Sequence, residues 1–429
     1  MRKFDGGAIA RPWSEAWHLA LCTGNGGPAP VDGLTADARR EWSEVDESAQ
    51  FVAAAGGMLP AGRSVWRGIE SVPLGTVRSA PRRYRSLPRP GRSFAGAFRN
   101  PEQLVDGLIG ALAEAVERDA PGSSAVPIAF SGGVDSILIA IAVRRVLRRS
   151  AVLLYATNSA DRFWRDETSE AKKIAHVLEC EFVPVEMEAA IDNLRAPLSK
   201  SRCDWIVPPQ PIEVAIMRAA DKFSAPLVSG VFADEIWERG QPIRFPIRGA
   251  LPEGATSSQC EKVISAAVDS WGGSRRRGVT GSTQGNAWRA LASRPVVESL
   301  LLEVSGGASS TPYADNGVRK YMDGVPQRDM SGSVAGRPVR KGLCRAYLEH
   351  FYGIDPVAGL GGNPGSLIGM WASRFRGEAV ELCLDHRECW IEWLNPKVVR
   401  EAGGHDWERY AFLLFALTNF ALLKGARGQ

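Results

Sequence analysis

The chain lacks the features of secreted, disulfide-linked and membrane proteins. Its seven cysteines are scattered and odd in number, which favours reduced thiols over a disulfide framework. The longest apolar run, Tyr410–Leu423, is short and interrupted by Thr418 and Asn419, so it suits a buried helix better than a membrane span. Met1-Arg2-Lys3 leads into polar, Gly-rich sequence and not into the apolar core of a signal peptide. We therefore expect a cytoplasmic protein that does not bind membranes.

A strong charge of either sign is also missing. The 52 Lys and Arg residues nearly balance 48 Asp and Glu residues, giving a net charge of +4 over 429 residues. This total is too small to argue for a nucleic-acid partner. The hydrophobic content of 45% is ordinary for a soluble globular protein, and the length suffices for two or three domains.

The first hundred residues differ in composition from the rest. Residues 1 to about 75 are rich in Gly, Ala and Trp, with short strand-like pieces, so residues 1–100 are expected to form a small β-rich domain with its linker. Pro81–Arg92 contains Pro, Gly and Arg and predicts an extended linker. Seven arginines fall between Arg78 and Arg99. We favour a solvated connector here, and the alternative is a docking strip for an acidic partner.

Residues 101–429 alternate between helical and strand-like patterns. Such alternation predicts an α/β fold, a doubly wound parallel sheet with helices on both faces. In such sheets the ligand lies at the carboxyl ends of the strands. The predicted elements are helix Leu104–Val116, strand Ala125–Phe130, helix Ile137–Leu147, strand Ala151–Ala156, helix Glu167–Leu178, strand Phe182–Val185, helix Pro211–Phe223 and strand Pro226–Ser229.

The segment Phe130-Ser131-Gly132-Gly133-Val134-Asp135-Ser136 connects the first predicted strand to the next helix. Adjacent glycines let the backbone turn tightly and approach an anion, and unpaired N–H groups at a helix start attract phosphate. Ser131 and Ser136 add hydroxyl donors. Asp135 suits such a loop if a divalent metal lies between it and the phosphates. The pattern predicts a nucleotide site with Mg²⁺, and the plainer alternative is a surface turn.

The same six residues, Ser131–Ser136, resemble the PP-loop of ATP pyrophosphatases. That resemblance implies ATP as cofactor and cleavage between its α- and β-phosphates. No Gly-Lys-[Ser/Thr] follows the glycines, so the loop is not a Walker A motif.

A second segment, Ser229-Gly230-Val231-Phe232-Ala233-Asp234-Glu235, resembles the Ser-Gly-x-Gly-[Ala/Ser]-Asp-Glu motif of asparagine synthetase-like enzymes. The resemblance implies that Ser229 and Gly230 help to bind the nucleotide. It also implies that Asp234 joins Asp135 in holding Mg²⁺, an arrangement that suits a hard cation. The plainer alternative is that Asp234 and Glu235 cap a helix.

A late segment, Lys341-Gly342-Leu343-Cys344-Arg345-Ala346, resembles the Lys-x-x-Leu-Arg-x-Ala helix of the same family, with the leucine displaced by one position. The resemblance implies that Lys341 contacts the phosphates and the transition state, with Arg345 one turn further along. A cation is needed there because adenylation and acyl transfer both build negative charge. The alternative is a surface lysine.

Two departures from the family limit this interpretation. Full asparagine synthetases carry a glutaminase whose nucleophile is the cysteine after Met1, and this chain has Arg2 there. Residues 1–100 therefore predict a reduced, non-hydrolytic remnant. Val231 stands at the position that the family ties to handling the amine, and Phe232 follows where glycine is usual. Neither side chain accepts a proton. Glu235, Asp204 and Glu213 are candidate replacement bases, among which the sequence does not choose.

Together these features predict an ATP-dependent, amide-forming ligase. A small-molecule or peptide carboxylate would be adenylated and then transferred to an amine, in specialised-metabolite biosynthesis such as antibiotic formation. A second copy of the chain or a partner protein would bind to the N-terminal region. Two alternatives stay open: a tRNA-modifying PP-loop enzyme, against which the low net charge and the missing Cys-x-x-Cys pair argue, and a non-catalytic nucleotide- or peptide-binding homologue.

Overall fold

A computed structural model gives the backbone of the chain in segments. The residues described are 2–4, 8–11, 19–22, 29–32, 69–71, 76–80, 83–86, 101–157, 167–187, 211–231, 233, 237, 309–325, 332–334, 337–339, 341–354, 364–391, 394–404, 407, 410, 411, 413–415, 417, 418 and 421.

The centre of the structure is a five-stranded sheet in which every neighbouring pair is parallel, in the order β10-β9-β8-β11-β12. Along the chain these strands are β8 (Ala125–Ala129), β9 (Ser150–Thr157), β10 (Glu181–Glu186), β11 (Leu227–Val228) and β12 (Ser309–Ser310). In chain order this is 3-2-1-4-5. The direction of winding therefore reverses between β8 and β11, and that reversal is the place where open α/β sheets bind ligands.

Helices cover both faces of this sheet, which confirms the doubly wound α/β fold. The helices are α1 (Pro101–Asp119), α2 (Val134–Ile141), α3 (Thr168–Val177), α4 (Pro211–Ala220), α5 (Asn316–Gly324), α6 (Gly342–Tyr352), α7 (Pro364–Asp385) and α8 (Pro396–Ala402). Leu153 of β9 packs into a core with α1, α2 and α3, whereas its neighbours Val152 and Leu154 pack against α4. Because both faces are buried, β9 is apolar along most of its length.

The N-terminal region forms two antiparallel sheets of short strands, in agreement with its predicted β-rich character. One sheet has the order β1-β2-β6-β7 and the other β4-β3-β5. Their strands are β1 (Arg2–Phe4), β2 (Ala8–Arg11), β3 (Leu19–Cys22), β4 (Ala29–Asp32), β5 (Ile69–Ser71), β6 (Thr76–Ala80) and β7 (Arg83–Ser86). β7 falls within the predicted linker, which is wrong there: Arg83–Ser86 pairs with β6 as an edge strand.

Several predicted boundaries shift because capping and turn geometry, not apolar periodicity, end an element. Helix α2 begins three residues before the predicted Ile137, since Gly133 serves as its N-cap. It passes into a π-helical turn, Ala142–Val146, closed by the Leu147 N–H on the Ala142 carbonyl at 3.1 Å. A short hairpin, β13 (Gly332–Val334) and β14 (Arg337–Val339), precedes α6. Within the described residues, no helix has the length and apolar content that crossing a bilayer requires.

Two glycines of α1 provide a test of the packing between α1 and α5. A Cβ on Gly107 would overlap the hydroxyl of Tyr321, which donates to the Leu104 carbonyl at 2.9 Å, whereas a Cβ on Gly110 meets nothing within 4 Å. We expect Gly107→Ala to lower the free energy of unfolding by about 1–3 kcal/mol through overpacking. Gly110→Ala should raise it by about 1 kcal/mol through helix propensity. Urea unfolding monitored by circular dichroism measures both, and equal effects would contradict this packing.

Candidate functional site

The Ser131–Ser136 loop lies between β8 and α2 at the carboxyl edge of the sheet. The Phe130 N–H donates to the Leu154 carbonyl at 2.9 Å, which carries the sheet pairing up to the loop. Gly132 then adopts a positive φ of 70°, a conformation that favours glycine. Gly133 returns to extended backbone, with φ −76° and ψ 159°, and begins α2. The predicted strand–turn–helix arrangement is present.

The two serine hydroxyls hold the loop together. Ser136 Oγ donates to the Gly133 carbonyl at 3.0 Å, and the Gly133 N–H donates to Ser131 Oγ at 3.2 Å. The two hydroxyl oxygens lie 3.4 Å apart. Ser136 is buried and Ser131 is exposed. In this conformation the Ser136 hydroxyl shapes the turn, while Ser131 lies where a ligand has access.

The start of α2 has the properties of an anion site. Gly133, the N-cap residue, has no side chain with which to cap the first-turn N–H groups of α2. The first-turn N–H groups of a helix point along its axis and carry the positive end of the dipole. Phe130 and Val134, which belong to the predicted nucleotide-binding set, are 4% and 6% exposed. Their side chains belong to the core, so only their backbone is available to a ligand.

Asp135 is contacted from three distant parts of the chain. Trp237 Nε1 donates to its Oδ1 at 3.1 Å, across 102 residues of sequence. The Tyr313 hydroxyl donates to its backbone carbonyl at 3.2 Å, across 178 residues. Lys341 Nζ forms an ion pair with its Oδ2, across 206 residues. Asp135 is therefore the residue on which the separate segments of the site converge.

The second Ser-Gly segment, Ser229-Gly230, lies against the loop. The Ser229 N–H donates to the Ser310 carbonyl at 2.9 Å, continuing the pairing of β11 with β12. A Cβ on Gly230 would lie 3.2 Å from Asp135 Cβ and 3.7 Å from the Ser136 nitrogen. Glycine thus allows the two turns to approach closely. Val231, the next residue, is 41% exposed at this edge of the sheet.

Lys341 is neither a surface lysine nor a residue in relaxed backbone geometry. Its side chain is 10% exposed. It is the N-cap of α6 with φ 57° and ψ 29°, the left-handed region that is costly for residues other than glycine. Such strain is concentrated at functional sites and costs of order 1–3 kcal/mol. Arg345 lies one turn along, where its N–H donates to the Lys341 carbonyl at 3.0 Å.

Helix α6 is held in place by groups that fix the position of Lys341. The Tyr347 hydroxyl donates to Asp106 of α1 at 2.5 Å, and burial together with this carboxylate raises the tyrosine pKa. Cys344 is fully buried beside the ion pair. Burial raises the pKa of its thiol, Asp135 raises it further, and Lys341 partly opposes both. The thiol therefore stays protonated and contributes packing.

The predicted site residues fall into two groups. Those that the structure brings together are the loop residues, Ser229, Gly230 and Lys341, with Arg345 on the adjoining turn of α6. Those that lie outside the described residues are Asp234, Glu235, Phe232 and Asp204, as does the side chain of Glu213. Sequence reasoning did not identify Tyr313 or Trp237 as contacts of Asp135. Trp237 is 5% exposed, with its indole N–H directed to Asp135.

The donor set at Asp135 fits Mg²⁺ bound together with a nucleotide. Magnesium in such sites takes one or two carboxylates and completes its shell with phosphate oxygens and water. Asp135 offers carboxylate oxygens, the hard donors that Mg²⁺ prefers, beside the start of α2 where the phosphates would lie. No cluster of three His, Cys, Asp or Glu side chains occurs among the described residues. Asp234 as second ligand stays a prediction.

Gly132 allows the loop conformation to be tested apart from general stability. We expect Gly132→Ala to weaken binding of Mg²⁺·α,β-methylene-ATP about 10-fold, because alanine resists the positive φ that orients the loop. Gly122→Ala is the matched control, since Gly122 has φ 67° in the turn after α1 and nothing within 4 Å of its added Cβ. Calorimetric titration should show a change for the first variant and none for the second. Equal affinities in both variants would show that the loop does not bind nucleotide.

Comparisons with known proteins add little to this geometry. No protein-family profile matches the chain, and no curated protein is significantly similar to it in sequence. Among solved structures, one similar chain is a glutamine-dependent NAD⁺ synthetase from Acinetobacter baumannii in complex with ADP. It is 17% identical with a TM-score of 0.23, and the alignment covers 46% of this chain and 43% of that one. The chain therefore spans less than half of that protein's length, and a likeness this weak shows neither family nor activity.

Proposed function

We propose that this chain is an ATP-dependent ligase of the asparagine synthetase type, which activates a carboxylate as its adenylate and passes the acyl group to an amine. One observation carries the proposal. A PP-loop-like turn, a second Ser-Gly turn and Lys341, whose backbone is left-handed, meet at Asp135. They meet at the point where the strand order of the parallel sheet reverses. The sequence motifs for these three parts are those that the family resemblance brings together.

In the proposed complex the nucleotide phosphates lie on the start of α2. The N–H groups of that first turn donate to phosphate oxygens, and Gly132 and Gly230 leave room for close approach. Lys341 places a positive charge beside Asp135, close to where the charge of the leaving pyrophosphate develops. Asp135 and Asp234 would hold Mg²⁺. When bound, the metal supplies charge neutralisation between the phosphates.

The proposed reaction has two steps. An oxygen of the substrate carboxylate attacks the α-phosphorus, the bond from that phosphorus to the bridging oxygen breaks, and pyrophosphate leaves with its electron pair. The amine nitrogen then attacks the acyl carbon, AMP leaves, and the nitrogen gives up a proton to form the amide. The chain's own contribution is positioning and fixed charge. Glu235, Asp204 and Glu213 are candidates to accept that proton.

The finer part of the proposal rests on the departure from the family pattern at Val231. This residue is exposed at the site edge and offers no proton acceptor there. That feature favours a tailoring enzyme of specialised metabolism, which acts on a small-molecule or peptide carboxylate, over primary asparagine synthesis.

Product analysis with an amine trap tests this function. The protein is incubated with ATP, Mg²⁺, pools of carboxylic acids and hydroxylamine, a small nucleophile that is neutral near pH 7 and needs no base in the site. We expect AMP, pyrophosphate and an acyl hydroxamate in equal amounts. ADP with inorganic phosphate would instead indicate cleavage at the other phosphate bond. Binding of ATP without turnover by any pool would favour the non-catalytic homologue.

A further inference from the structure

The contact between Trp237 and Asp135 divides the roles of the two carboxylate oxygens. Oδ1 accepts the indole N–H of Trp237 at 3.1 Å, and Oδ2 is the oxygen that meets Lys341. The indole is 5% exposed, so its hydrogen bond is shielded from water. Because an indole has a single donor and no acceptor, this contact has one geometry and one direction.

The backbone of Asp135 is held as firmly as its side chain. Tyr313 is fully buried, and its hydroxyl donates to the Asp135 carbonyl at 3.2 Å, which ties the first turn of α2 to the segment after β12. Gly230 lies against Asp135 Cβ on another side. With the backbone and Cβ held, the indole N–H of Trp237 on Oδ1 opposes rotation of the carboxylate about its bond to Cβ.

We propose that Trp237 is a positioning residue, whose indole N–H holds Oδ1 of Asp135 so that Oδ2 is the oxygen presented to cations, Lys341 in this structure and the metal of a bound nucleotide. The inference rests on the proposed function for the identity of the second cation. Groups that orient a metal ligand from behind change metal affinity about 10- to 100-fold when removed. Trp237 would act in this way through Asp135, without touching substrate.

The consequence is a specific defect in metal affinity. Trp237→Phe keeps an aromatic ring in the buried site and removes the donor. Oδ1 then loses its indole donor, and the carboxylate can turn further towards Lys341, which competes with the metal. We expect about 10-fold weaker binding of Mn²⁺, used in place of Mg²⁺, in the presence of α,β-methylene-ATP. The metal concentration that gives half of the maximal rate should rise. The maximal rate itself, measured at saturating metal, should change far less.

Electron paramagnetic resonance titration of Mn²⁺ measures this affinity directly. Trp371→Phe is the matched control: Trp371 is 1% exposed, packs on Phe415 with ring centroids 5.1 Å apart, and its indole nitrogen has no hydrogen-bond partner among the described residues. That variant should bind Mn²⁺ within about twofold of the unsubstituted protein. Equal affinities in Trp237→Phe and Trp371→Phe would overturn the positioning role.

A second measurement keeps the inference testable if Trp237→Phe fails to fold. In protein labelled with ¹⁵N-tryptophan, Asp135→Ala should shift the indole N–H resonance of Trp237 and leave that of Trp371 in place. An unmoved Trp237 resonance would overturn the contact itself. Failure of the unsubstituted protein to bind Mn²⁺ with the analogue would contradict the proposed function. Equal affinity in Trp237→Phe would contradict only the role of Trp237.

Discussion

Asp135→Asn is expected to reduce ATP-dependent pyrophosphate release by at least about 100-fold while the fold survives. The substitution removes the charge that pairs with Lys341 and that would hold the metal. It leaves a carbonyl oxygen that accepts the indole N–H of Trp237. The ion pair is mostly buried, with side chains 10% and 20% exposed, so breaking it should cost somewhat less than the roughly 3–5 kcal/mol of a fully buried pair.

Asp135→Ala separates the two roles of this side chain. Like the asparagine variant it should be inactive, but it also leaves the buried indole N–H of Trp237 without its acceptor. An unsatisfied buried donor costs about 1–3 kcal/mol, so we expect lower stability than for Asp135→Asn by that amount. Urea unfolding compares the two variants. Appreciable turnover by Asp135→Asn would show that the carboxylate is not needed, and the proposed chemistry would then fail.

Removing the amine of Lys341 should abolish turnover whichever residue replaces it. The free energy of unfolding, in contrast, should differ between replacements. Lys341→Ala and Lys341→Gly both lose the ion pair with Asp135 and the positive charge near the leaving group. We expect at least about a 100-fold loss of pyrophosphate release in each. Only glycine relieves the left-handed backbone at φ 57°, so the glycine variant should be more stable by about 1 kcal/mol.

Lys320→Ala is the control for loss of one positive charge, because Lys320 is exposed on α5. It should change pyrophosphate release and the free energy of unfolding little. A functional need for the amine would explain why a lysine occupies a position where glycine is cheaper. If the alanine and glycine variants of Lys341 were equally stable, the claim that the backbone is strained at this residue would be wrong. If they were active, Lys341 would be structural.

The sequence predicts the parts of this site that lie close together in the chain. Strand, glycine turn and helix around Ser131–Ser136 are local features, set by apolar runs and by glycine. The parallel sheet follows from alternating elements, and its topology brings Gly230 next to Asp135 without further information. Element ends are less predictable. The start of α2 at Val134 depends on Gly133 as N-cap, which apolar periodicity does not detect.

The contacts that fix Asp135 could not be predicted in the same way. Trp237 and Tyr313 come from 102 and 178 residues away, and nothing in their local sequence marks an indole or a phenol as a donor to a loop. Tryptophan is most often a packing residue, and the motif around Trp237 draws attention to Asp234 and Glu235 instead. The left-handed backbone of Lys341 could not be predicted from the sequence either, because lysine rarely adopts a positive φ.

A crystal structure with Mg²⁺ and α,β-methylene-ATP, which cannot be cleaved between its α- and β-phosphates, tests the central claim most directly. We predict phosphate oxygens within hydrogen-bonding distance of the N–H groups of Val134–Ser136. We also predict the metal on Oδ2 of Asp135 and Lys341 Nζ turned from Asp135 towards the phosphates. A nucleotide bound elsewhere, or one bound here with Lys341 still paired to Asp135 and no metal on Asp135, would contradict the account.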